Sequence, residues 1–128
     1  MNSSTAPDVR PRDPGIDVDA IALAIDHARA DRAGLPPRCV VNAGTDELVA
    51  HLRRLMSADE YGHDEPDRGA VRLLFRAAYR HLDVAVRPDA TTPDAAAYAY
   101  WRTVASLTAA FGDLYQEMRQ GAGETAEG

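Results

Sequence analysis

Four arginines recur at intervals of four residues in the segment DRGAVRLLFRAAYRHL. They are Arg68, Arg72, Arg76 and Arg80, here called the arginine ladder. A helix would carry them along one side, where guanidinium groups can bind carboxylates or phosphates through paired hydrogen bonds. Each like-charge pair at i and i+4 opposes the helix by about 0.2–0.5 kcal/mol. The spacing therefore predicts a surface for an anion or a partner, supplied from outside this helix.

Acidic residues elsewhere in the chain could also neutralise the ladder. Residues 68–88 sum to a charge of +4, whereas residues 57–67 sum to −5 and residues 89–128 to −4. Three interpretations stay open: a solvated face with weak internal ion pairs, a docking surface for an acidic protein, or a phosphate-binding surface. The net charge of −6 argues against a generic nucleic-acid binder, so a nucleic-acid-associated protein is the alternative hypothesis.

The residues that could support catalysis or bind a metal form no familiar pattern. The acidic segment 59–65 matches neither a calcium-binding loop nor an HExxH zinc motif. Cys39 stands beside two valines and outside any nucleophile motif, although a Cys–His pair could still form in space. We predict no catalytic residue, no cofactor and no metal, and so no enzyme. A small enzyme or ligand-binding bundle with an internal pocket is the third hypothesis.

Aromatic residues concentrate near the carboxyl end, where five of the chain's eight lie between residues 98 and 115. Apolar and aromatic residues there follow a heptad-like spacing that covers about half of a helix's circumference. Such a helix is expected to be central in a bundle, or to serve both the core and a partner. Because tyrosine is favoured at contacts, Tyr98, Tyr100 and Tyr115 are candidate interface aromatics.

Periodicity and capping signals predict the helices that position these side chains. Asp17, Thr45 and Thr92 are the predicted amino-terminal caps, and Gly121 is the predicted stop of the last helix. Residues 38–44 are predicted to be a loop. No strand pattern is present, so the fold class is all-α: a single four-helix bundle-like domain over 16–120 with a long C-terminal helix and disordered tails at 1–15 and 121–128. The predicted helices cover approximately 17–33, 45–57, 66–86 and 93–119.

The composition indicates the cellular compartment, the kind of genome and the class of protein. A lone cysteine, a polar amino terminus and the lack of an 18-residue apolar run predict a cytoplasmic protein without a membrane span. All fourteen basic residues are arginine, as in a high-GC, actinobacterial-like genome. The leading functional hypothesis is a non-enzymatic interaction or regulatory accessory module. Its partner would be another protein or a second copy, with a homodimer forming through the last helix.

Overall fold

The computed structural model describes residues 16–57, 68–84 and 86–127, and all regular structure within them is helical. The side chains of Arg68 and of residues 121–127 lie outside this description, as do the predicted tail 1–15 and the acidic segment 58–67. The predicted all-α, four-helix bundle-like fold is confirmed. Its helices are α1 (Val18–Arg29), α2 (Arg38–Met56), α3 (Arg68–Leu82) and α4 (Asp94–Glu127).

The long helix α4 organises the bundle, because each of the other three helices packs against it. Arg38 at the start of α2 forms an ion pair with Asp94 at the start of α4, so these two helices run parallel. The helix α1 runs antiparallel to α4, since its last turn brings His27 to Trp101 and its first residue, Val18, lies beside Tyr115. The helix α3 also runs antiparallel to α4, but it packs on α4 much less extensively than α1 and α2 do.

The core lies where α2 and α4 face each other, with α1 closing one side. Its largest fully buried side chains come from α2 and α4: Leu48, Leu52, Leu55, Trp101, Val104, Phe111 and Tyr115. Each large apolar side chain contributes about 1.5–3 kcal/mol when it is fully removed from water. The only buried polar side chains in the described part of the chain are threonines. Thr108 is satisfied because its hydroxyl donates to the carbonyl of Val104 one turn earlier.

The prediction of a loop at 38–44 is wrong, because α2 begins at Arg38 and includes Gly44. Pro37 stands at the N-cap position, and its carbonyl accepts from the amides of Val40 and Val41 in the first turn of α2. Thr45 is not a cap but a buried residue within α2. Glycine suggested a break because it destabilises a helix interior by about 1 kcal/mol. Here the missing side chain admits Trp101, and tertiary packing outweighs helix propensity.

Three other helix ends differ from the prediction. The helix α1 ends at Arg29, because the Arg32 side chain donates to the carbonyls of His27 and Ala30 and satisfies the end of the helix. The helix α3 ends at Leu82, after which the amides of Val86 and Arg87 donate to the carbonyl of Asp83 and the Arg87 side chain pairs with Asp46. The backbone of α4 continues past Gly121 to Glu127, because no proline follows to stop it. The predicted cap Asp17 is confirmed, since its carboxylate accepts from the Ala20 amide.

Candidate interaction surface on the third helix

The structure exposes three of the four ladder arginines to solvent. Arg72, Arg76 and Arg80 are exposed on α3, and Arg68 occupies the first position of the same helix. No carboxylate within the described residues lies at ion-pair distance from Arg72, Arg76 or Arg80. The acids of 58–67, which could have provided intrachain partners, lie outside the described residues. Within the described residues, Arg72, Arg76 and Arg80 therefore form no ion pair.

Packing on the opposite side of α3 fixes the direction in which the ladder points. Ala78 and Leu82 are buried, and the Phe75 ring meets the Phe111 ring of α4 edge-on with centroids 5.0 Å apart. Such an aromatic pair contributes about 0.5–1.5 kcal/mol beyond the area that it buries. At 100° per residue, Arg76 lies about 160° around the helix from Ala78. The contact with α4 therefore turns the ladder towards solvent.

Two large apolar side chains border the ladder, and the sequence reasoning missed both. Leu73 is 62% exposed and Tyr79 is 64% exposed, one on either side of the arginines. Their angular positions carried the signal, because both fall well outside the stripe centred on Ala78. Single exposed apolar residues are ordinary, but these two flank arginines, and aromatic residues and arginine are both enriched at protein–protein interfaces.

The carboxyl end of α3 is anchored to α4 through His81 and Tyr100. The Tyr100 hydroxyl donates to the backbone carbonyl of His81, and the two rings stack with centroids 5.2 Å apart and planes 22° from parallel. Burial lowers the pKa of His81, and the positive charge of Arg80 lowers it further. Burial raises the pKa of Tyr100, although Arg87 and Arg53 oppose that shift. The ladder's positive potential therefore acts on the adjacent imidazole.

The candidate interface aromatics divide between the core and its margin. Tyr100 is 7% exposed and Tyr115 is 2% exposed, so both are core side chains in this chain and do not present an aromatic surface. The apolar breadth of α4 is used instead by α1, α2 and α3 together. Tyr98 is half-buried at the margin, where its ring meets Trp101 edge-on and lies 6.0 Å from the Arg32 guanidinium and 5.7 Å from that of Arg102.

A polar cleft of about 600 Å³ opens where α2, α4 and the turn before α4 meet. Arg38 lines this cleft. Its guanidinium donates to the carbonyls of Asp89 and Thr92 and to the side chains of Asp94 and Asn42. A second arginine at its edge, Arg87, pairs with Asp46 at 3.2 Å. Both arginines therefore have partners within the chain. The contacts of Arg38 hold the 88–93 turn against the start of α2, and they are here called the clamp.

The described residues contain no cluster of three histidine, cysteine or carboxylate side chains that could hold a metal ion. Cys39 is exposed at the start of α2. His51 is largely buried further along α2, where its Nε2 atom lies 3.9 Å from a carboxylate oxygen of Glu47. The candidate metal segment 59–65 falls outside the described residues.

Comparison with other proteins adds no family. No protein-family model, no curated protein and no solved structure matches the chain. Within the described residues, none of the helices is both long enough and apolar enough to cross a bilayer.

Proposed function

We propose that this protein is a non-enzymatic interaction module that binds an acidic partner protein through the exposed face of α3. The supporting observation is the exposure of Arg72, Arg76 and Arg80 without a described carboxylate near them. Three adjacent cations that repel one another weaken α3, and no described carboxylate lies at ion-pair distance to offset that repulsion. A partner that supplies carboxylates removes the repulsion and gains ion pairs in one step. Its regulatory or accessory role would take place in the cytoplasm, as the lone cysteine favours.

A protein partner fits this surface better than a nucleic acid does. The net charge of −6 repels a polyanion outside the immediate vicinity of α3. The exposed Leu73 side chain offers an aliphatic contact, which suits a protein and contributes little to phosphate binding. Nucleic-acid binding is the alternative outcome of the test below, since Tyr79 beside the arginines could stack on a base.

The test compares an acidic, leucine-containing peptide with duplex and single-stranded nucleic acids of mixed sequence, each titrated at two salt concentrations. The test variant is Arg72→Gln with Arg76→Gln. The control is Arg29→Gln with Arg54→Gln, which makes the same charge change at exposed sites on α1 and α2. Two exposed ion pairs contribute up to about 1 kcal/mol each, so the test variant should bind the peptide about tenfold more weakly. The control variant should bind as the unaltered chain does.

Two results would contradict the proposal. Equal weakening in the test and control variants would mean that only the overall charge matters. Tighter binding of nucleic acid than of the peptide, with a steep salt dependence, would favour the alternative. Solution mass tests whether the chain binds a second copy of itself. A homodimer that survives Arg72→Gln with Arg76→Gln would place self-association on a face other than that of α3.

A further inference from the structure

The exposed side of α3 includes two adjacent rows of side chains with opposite character. One row is the described part of the arginine ladder, Arg72, Arg76 and Arg80. The other row is Gly69, Leu73 and Ala77, here called the small-apolar row. Both rows follow the i±4 spacing that forms ridges on a helix surface, so a shallow groove separates them. All six residues are exposed, which leaves this groove open to a partner.

The small-apolar row is shaped for close approach by another helix. A methyl group added at Gly69 would have no atom within 4 Å, and Ala77 projects little from the helix surface. Leu73 stands between them and is 62% exposed. A small–large–small row lets a partner backbone come near at both ends while the central leucine inserts between partner side chains.

We infer that the partner segment is an acidic amphipathic helix that packs one of its own ridges into the groove between these rows. This inference rests on the proposed function and specifies the partner's form. Carboxylates at i and i+4 on the partner face the ladder, and the neighbouring row of apolar residues contacts Leu73. Arg72 to Arg80 span about 12 Å along the helix axis, so a little over two turns, about 2.2, of partner helix cover the ladder.

The two rows together favour this occupant over an extended polyacid, free phosphate or a second copy of the chain. An extended polyacid or free phosphate would engage the arginines but leave Leu73 in water. A second copy that offered the same face would set arginine against arginine, and repulsion opposes that arrangement. An acidic amphipathic helix satisfies the cationic row and the apolar row together.

The experiment uses two peptides of identical composition and length and the full-length protein. In the first peptide, acidic and leucine residues occupy adjacent rows at helical spacing; in the second, the same residues are scrambled so that no row forms. Binding is measured by titration, and peptide helicity is followed by circular dichroism. We expect the patterned peptide to bind at least tenfold more tightly and to gain helix on binding.

Leu73→Ser is the diagnostic variant, and Leu23→Ser is its matched control because Leu23 is 71% exposed on α1. Leu73→Ser should reduce the preference for the patterned peptide about tenfold while leaving the weaker, charge-driven binding of the scrambled peptide intact. The Leu23→Ser variant should keep the full preference. Both substitutions are at exposed positions, so neither should prevent folding.

The possible results separate the two proposals. Equal binding of both peptides, lost in Arg72→Gln with Arg76→Gln, would overturn the inferred helical partner and leave the proposed function standing. Binding of neither peptide, or binding that is indifferent to that double substitution, would overturn both. Patterned binding that Leu73→Ser does not weaken would also overturn the inferred groove, since the apolar row would then have no part in recognition.

Discussion

The contact between α2 and α4 and the exposed face of α3 use unfavourable helix residues in opposite ways. Gly44 weakens α2 as a helix, but it stands where a Cβ atom would come within 2.5 Å of the Trp101 ring. Arg72, Arg76 and Arg80 weaken α3 by repulsion, and no described contact requires them. The close approach of Trp101 explains the glycine in α2. No described contact explains the repulsion among the arginines of α3, so we assign that explanation to a partner.

The largest expected effect is at the α2–α4 contact. Gly44→Ala adds a methyl group against Cε2 and Cζ2 of Trp101, which is a fully buried core side chain. Overpacking of this kind costs about 1–3 kcal/mol, with the upper end for so short an approach, and the better helix propensity of alanine returns about 1 kcal/mol. We expect a net loss of free energy of unfolding of about 2 kcal/mol, measured by urea denaturation.

Gly112→Ala is the matched control within α4. No atom lies within 4 Å of the methyl group that it adds, so only the propensity change acts there. It should raise the free energy of unfolding by about 0.5–1 kcal/mol. If both substitutions stabilised the protein, the close contact between α2 and Trp101 would be wrong.

The second prediction concerns the clamp at the start of α2. Arg38→Ala removes donors to the carbonyls of Asp89 and Thr92 and an ion pair with Asp94. Because these groups are partly exposed and water can replace the donors, we expect a loss of about 1–2 kcal/mol in urea denaturation. Arg38→Lys should recover less than half of it, since one ammonium cannot span three acceptors as the guanidinium fork does. Full rescue by lysine would mean that Arg38 acts through its positive charge alone and not through the geometry of its guanidinium.

The sequence was sufficient for features that depend on local physics and insufficient where tertiary packing decides. Helix count, the Asp17 cap and the core face of α4 follow from capping and periodicity, and the structure agrees. The start of α2 did not follow, because Gly44 signals a break unless the approach of Trp101 is known. The exposure of Leu73 and Tyr79 was calculable from their angular positions. Whether other segments cover them depends on packing that periodicity does not encode.

The third prediction tests whether the ladder is unneeded for the fold. Arg76→Glu replaces two repulsive i,i+4 pairs, with Arg72 and Arg80, by two attractive ones. We expect the free energy of unfolding to rise by about 1 kcal/mol while binding of the acidic peptide is lost. Arg76→Gln should give about half of that gain, because it removes repulsion without adding attraction. A loss of stability in both variants would show that acids of this chain already neutralise Arg76, and the ladder would then be scaffold.

The smallest predicted effect is the pH response at the junction of α3 and α4. Burial and Arg80 hold the pKa of His81 below its usual value of 6.5, so the unfolded chain takes up the proton first as the pH falls. The stability associated with neutral His81 is therefore complete above about pH 6.5 and is lost as the pH falls through the folded-state pKa. His81→Phe keeps a ring against Tyr100 but cannot titrate, so its urea midpoint should fall less than that of the unaltered chain between about pH 7.5 and pH 5.5. Other groups titrate equally in both proteins, and the difference between the two curves isolates His81.

Arg80→Gln removes the second cause of the lowered pKa, the positive charge of Arg80, so the pKa of His81 followed by NMR should rise in that variant. An unchanged pKa would mean that the ladder's potential does not reach the imidazole.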